Sequence, residues 1–339
     1  MTPPAAAQQG PARVLVAPDS FKGTFTAAQV AEAVSAGVAE TAVAVPLPVA
    51  DGGEGTMDVL LQALGGAVET RTVEDPLGRP VRARFALLGD GARAVVETAE
   101  ASGLGLVDPS ERDALRAGTR GTGQLVVAAR DAGARSILIA VGGSATTDGG
   151  SGAVEAILAA GGLAGVQVDV LCDVTTPFED AARVFGPQKG ADADAVRELT
   201  ARLHEQARQL PKDPRGRSRT GAAGGLSGAL WAAFDAELVS GAEYVLDAVG
   251  FDARVAEAAL VVVGEGRLDE QTFGGKILGE AVRRARRAGV PAHGVVGTNA
   301  LPAHRAEALG LDTVTEAPTL AAMTAAGRSL AGLVAGPSR

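Results

Sequence analysis

Residues 136–160 constrain the chain more than any other stretch, because they put a glycine- and hydroxyl-rich loop between a strand and a helix. The run Ser136 to Val141 is short, apolar and β-branched, which reads as a buried strand. Ala153 to Ala160 reads as a helix that stops at Gly161. Between them lies Gly142-Gly143-Ser144-Ala145-Thr146-Thr147-Asp148-Gly149-Gly150-Ser151-Gly152. Glycines there let backbone N–H groups approach a ligand, and the start of a helix favours anions. Asp148 adds a carboxylate able to hold a cation or take a proton.

The same strand–loop–helix rhythm recurs. Arg13 to Pro18 is a strand that ends in Asp19-Ser20-Phe21-Lys22-Gly23-Thr24, and Thr26 caps a helix over 27–39. Val43 to Val49 is a second strand, weakened or placed at an edge by Pro46 and Pro48, and it ends in Asp51-Gly52-Gly53-Glu54-Gly55. Strands over 168–172 and 260–263 end in Asp173 and in Gly264-Glu265-Gly266-Arg267-Leu268-Asp269. Helices are expected over 57–64, 121–132, 196–210, 276–288 and 320–334, with further strands over 292–296 and 312–315. Between residues 69 and 98 the rhythm gives way to short β runs joined by Asp75-Pro76-Leu77-Gly78 and Gly89-Asp90-Gly91, which is turn chemistry. The fold class is therefore α/β with two domains. One is a discontinuous domain over 13–70 plus 257–339, and the other is a mixed α/β domain inserted over 71–256, with a disordered tail over 1–12.

Composition narrows the function. A formal net charge of −9 with no long basic run argues against nucleic acid as a partner. The single cysteine, Cys172, excludes an intramolecular disulfide and a CxxC metal site and fits a reducing cytoplasm. No apolar stretch is long enough to span a membrane, and the first residues lack a signal peptide's basic head and apolar segment. No Gly-x-x-x-x-Gly-Lys-Ser/Thr or Gly-x-Ser-x-Gly occurs, and no Gly-x-Gly-x-x-Gly is complete. What recurs is carboxylate with glycine at strand C-termini: Asp19, Asp51, Asp148, Asp173 and Glu265. Ligands of open α/β sheets bind at that edge. Without a His or Cys cluster the fitting metal is hard, such as Mg²⁺. Mg²⁺, anion-binding loops and a lysine point to phosphoryl transfer. A nicotinamide-dependent hydroxy-acid oxidoreductase and a non-catalytic binding module for phosphorylated metabolites are the alternatives.

Eight blocks in order carry a resemblance to a known family: 17–23, 50–56, 75–78, 142–150, 172–175, 185–190, 221–225 and 264–269. The chain resembles the type I bacterial glycerate kinases. The resemblance implies ATP-dependent phosphorylation of D-glycerate with Mg²⁺, giving 2-phosphoglycerate rather than the 3-phosphate. It implies a Rossmann/flavodoxin-like domain with a parallel sheet, a second domain inserted into it and a ligand cleft between them. The stretch 161–183 is shorter than the family pattern, which bears on the wall of that cleft.

On this reading Lys22, with Asp19, Ser20 and Glu265, binds the substrate. Gly142, Gly143, Ser144, Thr146 and Lys189 hold the nucleotide phosphates. Asp148 or Asp173 holds Mg²⁺, and Asp51 or Asp269 accepts the hydroxyl proton. A homodimer is a further expectation.

Overall fold

A computed structural model describes residues 11–270, 272 and 277–334. The expected disordered tail, up to residue 10, the helix start at Lys276 and the end of the chain from residue 335 lie outside the described residues. The strands are β1 Arg13–Pro18, β2 Val43–Pro46, β3 Gly66–Glu74, β4 Pro80–Leu88, β5 Arg93–Glu97 and β6 Ser136–Ala140. They continue with β7 Gln167–Leu171, β8 Glu237–Val239, β9 Leu260–Leu268, β10 Ala292–Asn299 and β11 Thr313–Glu316. No helix of the described residues is long and apolar enough to cross a membrane.

The chain forms two compact units. The first joins residues 1–49 to 249–339, and the second is the continuous stretch 50–248. These divisions correct the switches placed near 70 and 257. The helix Thr56–Leu64, expected to close the first domain, packs instead on the helix Gly241–Ala248 and on β4 and β5. The helix Phe251–Val255 packs on the helix Ile277–Arg287 and so belongs to the first unit.

The first unit is built on a parallel sheet in the order β11-β10-β9-β1-β2. Its central strands are continuous runs of Val and Leu, as strands covered on both faces require. Chain order reverses between β1 and β9, so the loops that follow them leave in opposite directions. That switch point is where open α/β sheets hold ligands. β2 is shorter than expected. The Leu47 and Val49 amides still donate to the Val16 and Pro18 carbonyls, while Pro46 and Pro48, which have no N–H, fall on the alternate positions facing the open edge. The helix Ala27–Val38 starts with a reciprocal capping box between Thr26 and Gln29. It buries Val30, Ala31, Val34 and Val38 on one face, against the sheet and the helix Leu320–Ala331.

The second unit is built on a mixed sheet in simple order, β3 to β8. β3, β4 and β5 pair antiparallel, and β5 to β8 pair parallel. The helices Arg120–Asp131 and Ser151–Ala159 cover one face over a core that includes Phe85, Leu125, Ile137, Ile139 and Ile157. A satellite core beneath the helix Ala193–Gln209 gathers Phe178, Leu199 and Leu203. The sequence reading contained neither β8 and the helix after it nor the short helix Ala303–Leu309.

Helices 27–38 and 320–331 cross at two glycines. A Cβ on Gly327 would lie 2.1 Å from the Val34 carbonyl oxygen, and one on Gly37 would lie 1.9 Å from that of Thr324. Neither acceptor can move without its helix. Gly327→Ala gains up to about 1 kcal/mol of helix propensity. It also forces two packed helices apart, which costs roughly 1–3 kcal/mol. The variant is expected to unfold at lower urea concentration than the native chain. An equal or higher midpoint would show that the crossing is not tight.

Candidate active site

Two groups of polar side chains form, one at the C-terminal edge of each sheet. In the first unit, Asp19 follows β1 and donates its backbone N–H to the Gly264 carbonyl at 2.8 Å. Its buried carboxylate accepts from the Ser20 amide at 2.6 Å. Phe21 and Phe25 exchange backbone hydrogen bonds across a tight turn, with Lys22 exposed at its tip. The turn lies directly on β9. A Cβ on Gly266 would meet the Phe21 Cα at 3.1 Å, so a side chain there would require the turn to shift by a few tenths of an ångström. Glu265 follows on β9, buried, and accepts from the Thr272 hydroxyl at 2.6 Å. Asp269 donates its backbone N–H to the same hydroxyl at 3.3 Å, and its carboxylate pairs with Arg267 at 3.4 Å. Asp19, Ser20, Lys22, Glu265 and Asp269 are thus gathered at the β1/β9 switch point, with Glu265 on β9 itself.

In the second unit the loop after Ala50 crosses the ends of β6 and β7 on glycine alone. A Cβ on Gly142 would lie 2.6 Å from the Gly53 Cα, and one on Gly52 would lie 2.9 Å from the Gly241 Cα. Asp51 accepts from the Gly53 amide at 3.0 Å. Asp173, at the end of β7, accepts from the Ser240 hydroxyl at 2.9 Å and from the Ala242 amide at the start of helix 241–248 at 3.1 Å. Burial pushes its carboxyl up to about 6, and the Asp51 charge adds to the rise. A nearby divalent cation would relieve the repulsion, and two carboxylates are the oxygen set that Mg²⁺ uses alongside phosphate oxygens. No cluster of three or more His, Cys, Asp or Glu suited to a metal occurs among the described residues.

The Gly142–Ala145 segment is clamped from the side. The Gly143 carbonyl accepts from the Leu104 amide at 2.8 Å, and the Ala145 amide donates to the Ser102 carbonyl at 2.9 Å. Lys189 lies beneath it, buried, donating to the Ser144 hydroxyl at 3.1 Å and the Thr146 carbonyl at 2.5 Å. Burial pushes the Lys189 ammonium down to about 7, against the pull of the Asp148 charge. Thr146 is wholly buried. The turn over 222–225 packs on it, with Gly224 against the Thr146 carbonyl, and the 221–228 glycines therefore serve close packing.

Asp148, one of the two carboxylates expected to hold Mg²⁺, is held from within the protein. Its two oxygens accept from the Thr119 amide at 2.9 Å, the Thr119 hydroxyl at 2.8 Å, the Gly150 amide at 3.1 Å and the Gly152 amide at 3.2 Å. Three of these donors reach Oδ2 and one reaches Oδ1, which keeps a lone pair open. Asp148 staples the loop to the start of helix 120–131.

Sequence reasoning assigned no role to Glu97, at the end of β5. It is buried and accepts from the Met57 amide at 2.6 Å, holding the start of helix 56–64. Burial pushes its carboxyl up to about 7. It also missed Ser240, Thr272 and Thr119, the hydroxyls that orient Asp173, Glu265 and Asp148. A carboxylate following an apolar strand was the available signal for Glu97; the hydroxyls gave none.

Known proteins are similar to this chain in sequence and fold. The family model described as "Glycerate kinase family" matches residues 14–161 and 158–331. A glycerate kinase from Bacillus subtilis (strain 168) is 40% identical, with 88% of this chain and 89% of that protein aligned. A glycerate 2-kinase from Escherichia coli (strain K12) is 38% identical over 84% of this chain and 85% of its own length. A crystal structure from Salmonella typhimurium LT2, assigned as a glycerate kinase 2, superposes with a TM-score of 0.81 at 35% identity. That match covers 95% of this chain and 98% of the other.

The buried Lys189 gives a pH test. Its folded value, about 7, lies below the ordinary 10.5, so between them the unfolded chain binds more protons than the folded one. Stability therefore rises with pH through that window, and the penalty is complete below it. Urea unfolding at several pH values from about 6.5 to about 8.5 is expected to show this rise in the native chain and a smaller one in Lys189→Met. Equal slopes would mean that Lys189 titrates normally.

Proposed function

The chain belongs to the glycerate kinase family of phosphotransferases, and from that premise we propose that it transfers the γ-phosphoryl group of ATP in line to the 2-hydroxyl of D-glycerate. Family membership replaces the oxidoreductase and binding-module alternatives. The observation that carries the reading is the Asp51 and Asp173 pair beside a glycine-lined loop at the ends of parallel strands. The name of the Escherichia coli relative supports the 2-position.

Phosphoryl transfer asks a protein mainly to position two reactants and neutralise charge. The amides of Gly142, Gly143 and Ser144 are assigned to phosphate oxygens, with the Lys189 charge acting from beneath Ser144. Asp51 and Asp173 would hold Mg²⁺, which supplies positive charge to the phosphates when bound. Lys22 pairs with the glycerate carboxylate, and Asp19, Ser20 and Glu265 shape the surrounding polar surface. Asp269, whose carboxylate lies 3.4 Å from the Arg267 guanidinium, takes the hydroxyl proton.

ATP, Mg²⁺ and D-glycerate incubated with the protein, followed by ³¹P NMR, tests both activity and regiochemistry. A 2-phosphate signal with equimolar ADP is expected. A 3-phosphate signal would overturn the 2-position, and no ADP release would overturn the substrate.

The residue roles separate in kinetics. Lys22→Ala is expected to raise KM for glycerate about 10- to 100-fold, the worth of one hydrogen bond between charged groups, and to leave KM for ATP unchanged. Asp173→Asn is expected to lower kcat by roughly 100-fold or more. A Lys22 variant with native KM for glycerate would remove Lys22 from substrate recognition.

A further inference from the structure

We propose that two copies of this chain associate through β3. Each β3 pairs antiparallel with the other about a two-fold axis at Thr70, which joins the two six-stranded sheets into one.

The two sheets have four edge strands, and three are blunted. β2 has four residues and ends in Pro46, β8 has three residues, and β11 has four. Short strands and prolines are how proteins keep sheet edges from pairing. β3 differs. It has nine residues, contains no proline, and pairs with β4 through nine consecutive residues without a bulge. Its other edge carries the backbone groups of an unblunted strand as far as Val73; at Glu74 the edge amide donates to the Gln124 side chain of helix 120–131 at 2.8 Å.

The surface leading into this edge is apolar. From Gln62 to Val68 every residue is exposed and none is charged, and Leu64 and Val68 are among the few large apolar side chains left in solvent. Beside β3 a groove of about 340 Å³ opens towards helix 120–131, lined by Arg71, Val73, Gln124, Val127, Ala128 and Asp131. It leaves room along the strand for side chains from a partner.

The sequence of β3 selects the partner. Antiparallel pairing of the open stretch with a second copy, centred on Thr70, sets Val68–Thr72 of each copy side by side. In that register Glu69 faces the partner's Arg71, Arg71 faces the partner's Glu69, and Val68 faces the partner's Thr72. Shifting the centre to residue 69 or to residue 71 sets Glu69 or Arg71 opposite its own copy, and like charges directly opposite are destabilising. The register centred on Thr70 is therefore the one with matched charges. Glu69 and Arg71 already lie 3.0 Å apart along one strand, with both side chains well exposed. Pairing gives each a second opposite charge across the axis.

Sedimentation equilibrium of the full chain tests this, with circular dichroism as the check on folding. The native chain is expected to run as a dimer. Arg71→Glu should raise the dimer dissociation constant by roughly 10- to 100-fold, because two like-charge contacts replace two favourable ones. Combining it with Glu69→Arg restores the complementarity and is expected to restore the dimer. Crosslinking tests the register independently and decides the matter if Arg71→Glu does not fold. Cys172 is buried, so an introduced cysteine is the reactive one. Thr70→Cys should form an intermolecular disulfide on oxidation. Thr72→Cys should not, since the two copies of that residue lie about 14 Å apart in this register. A native monomer, a dimer indifferent to Arg71→Glu, or crosslinking at 72 rather than 70 would each overturn the proposal.

Discussion

Backbone rests directly on backbone where the 51–53 loop crosses the ends of β6 and β7, and the second unit's polar cluster depends on that contact. With the Gly142 Cβ position 2.6 Å from the Gly53 Cα, a side chain at Gly142 would lift the loop away. Lifting it would separate Asp51 from Asp173, and both from the amides of the Gly142–Ser144 segment. The glycines in these loops are thus explained by approach distance. The first unit uses the same device at its sheet edge, where Gly266 lets the Lys22 turn lie on β9. Each unit brings charged side chains to its sheet edge by omitting side chains at the crossing points.

Much of this was legible in the chain. The strand–loop–helix rhythm located β1, β6, β7 and β9, and the carboxylates at their ends, because a buried parallel strand must be apolar throughout and must stop where polar residues begin. The missing parts lacked such a signature. β8 has only three residues, and its importance comes from Ser240, which reaches an acid 67 residues away. Thr119 reaches Asp148 across 29 residues, and Glu97 reaches the Met57 amide across 40. Hydrogen bonds of that separation leave no periodicity to read.

The division into units failed for the same reason. Helix 56–64 follows β2 as any crossover helix would, and its apolar face is equally suited to either sheet. The Glu97 carboxylate at its first turn and the close fit of Gly52 against Gly241 commit it to the second unit. The change from strand–helix units to hairpins near residue 70 is real, but it marks the start of a sheet rather than the start of a compact unit.

The five strand-end acids occupy equivalent places in the topology and still differ in chemistry. What separates them is the set of donors around each. Asp148 is surrounded by four and acts as a staple. Asp173 is buried beside another carboxylate, and its pKa rises. On the surface of the first unit the shifts run the other way: hydrogen bonds from Arg328 and Arg305 hold Glu40 and Glu270 below their ordinary values, which favours the folded state. Asp173, Glu97 and Lys189 are all shifted against their charged forms, and each weakens the fold near neutral pH. All three sit at or beneath the loops on one edge of one sheet. Opposed charges that served stability alone would be paired and exposed, as those on the first unit's surface are. Their concentration under a glycine-lined loop is the pattern expected where a polyanion and its counter-ion are to be held.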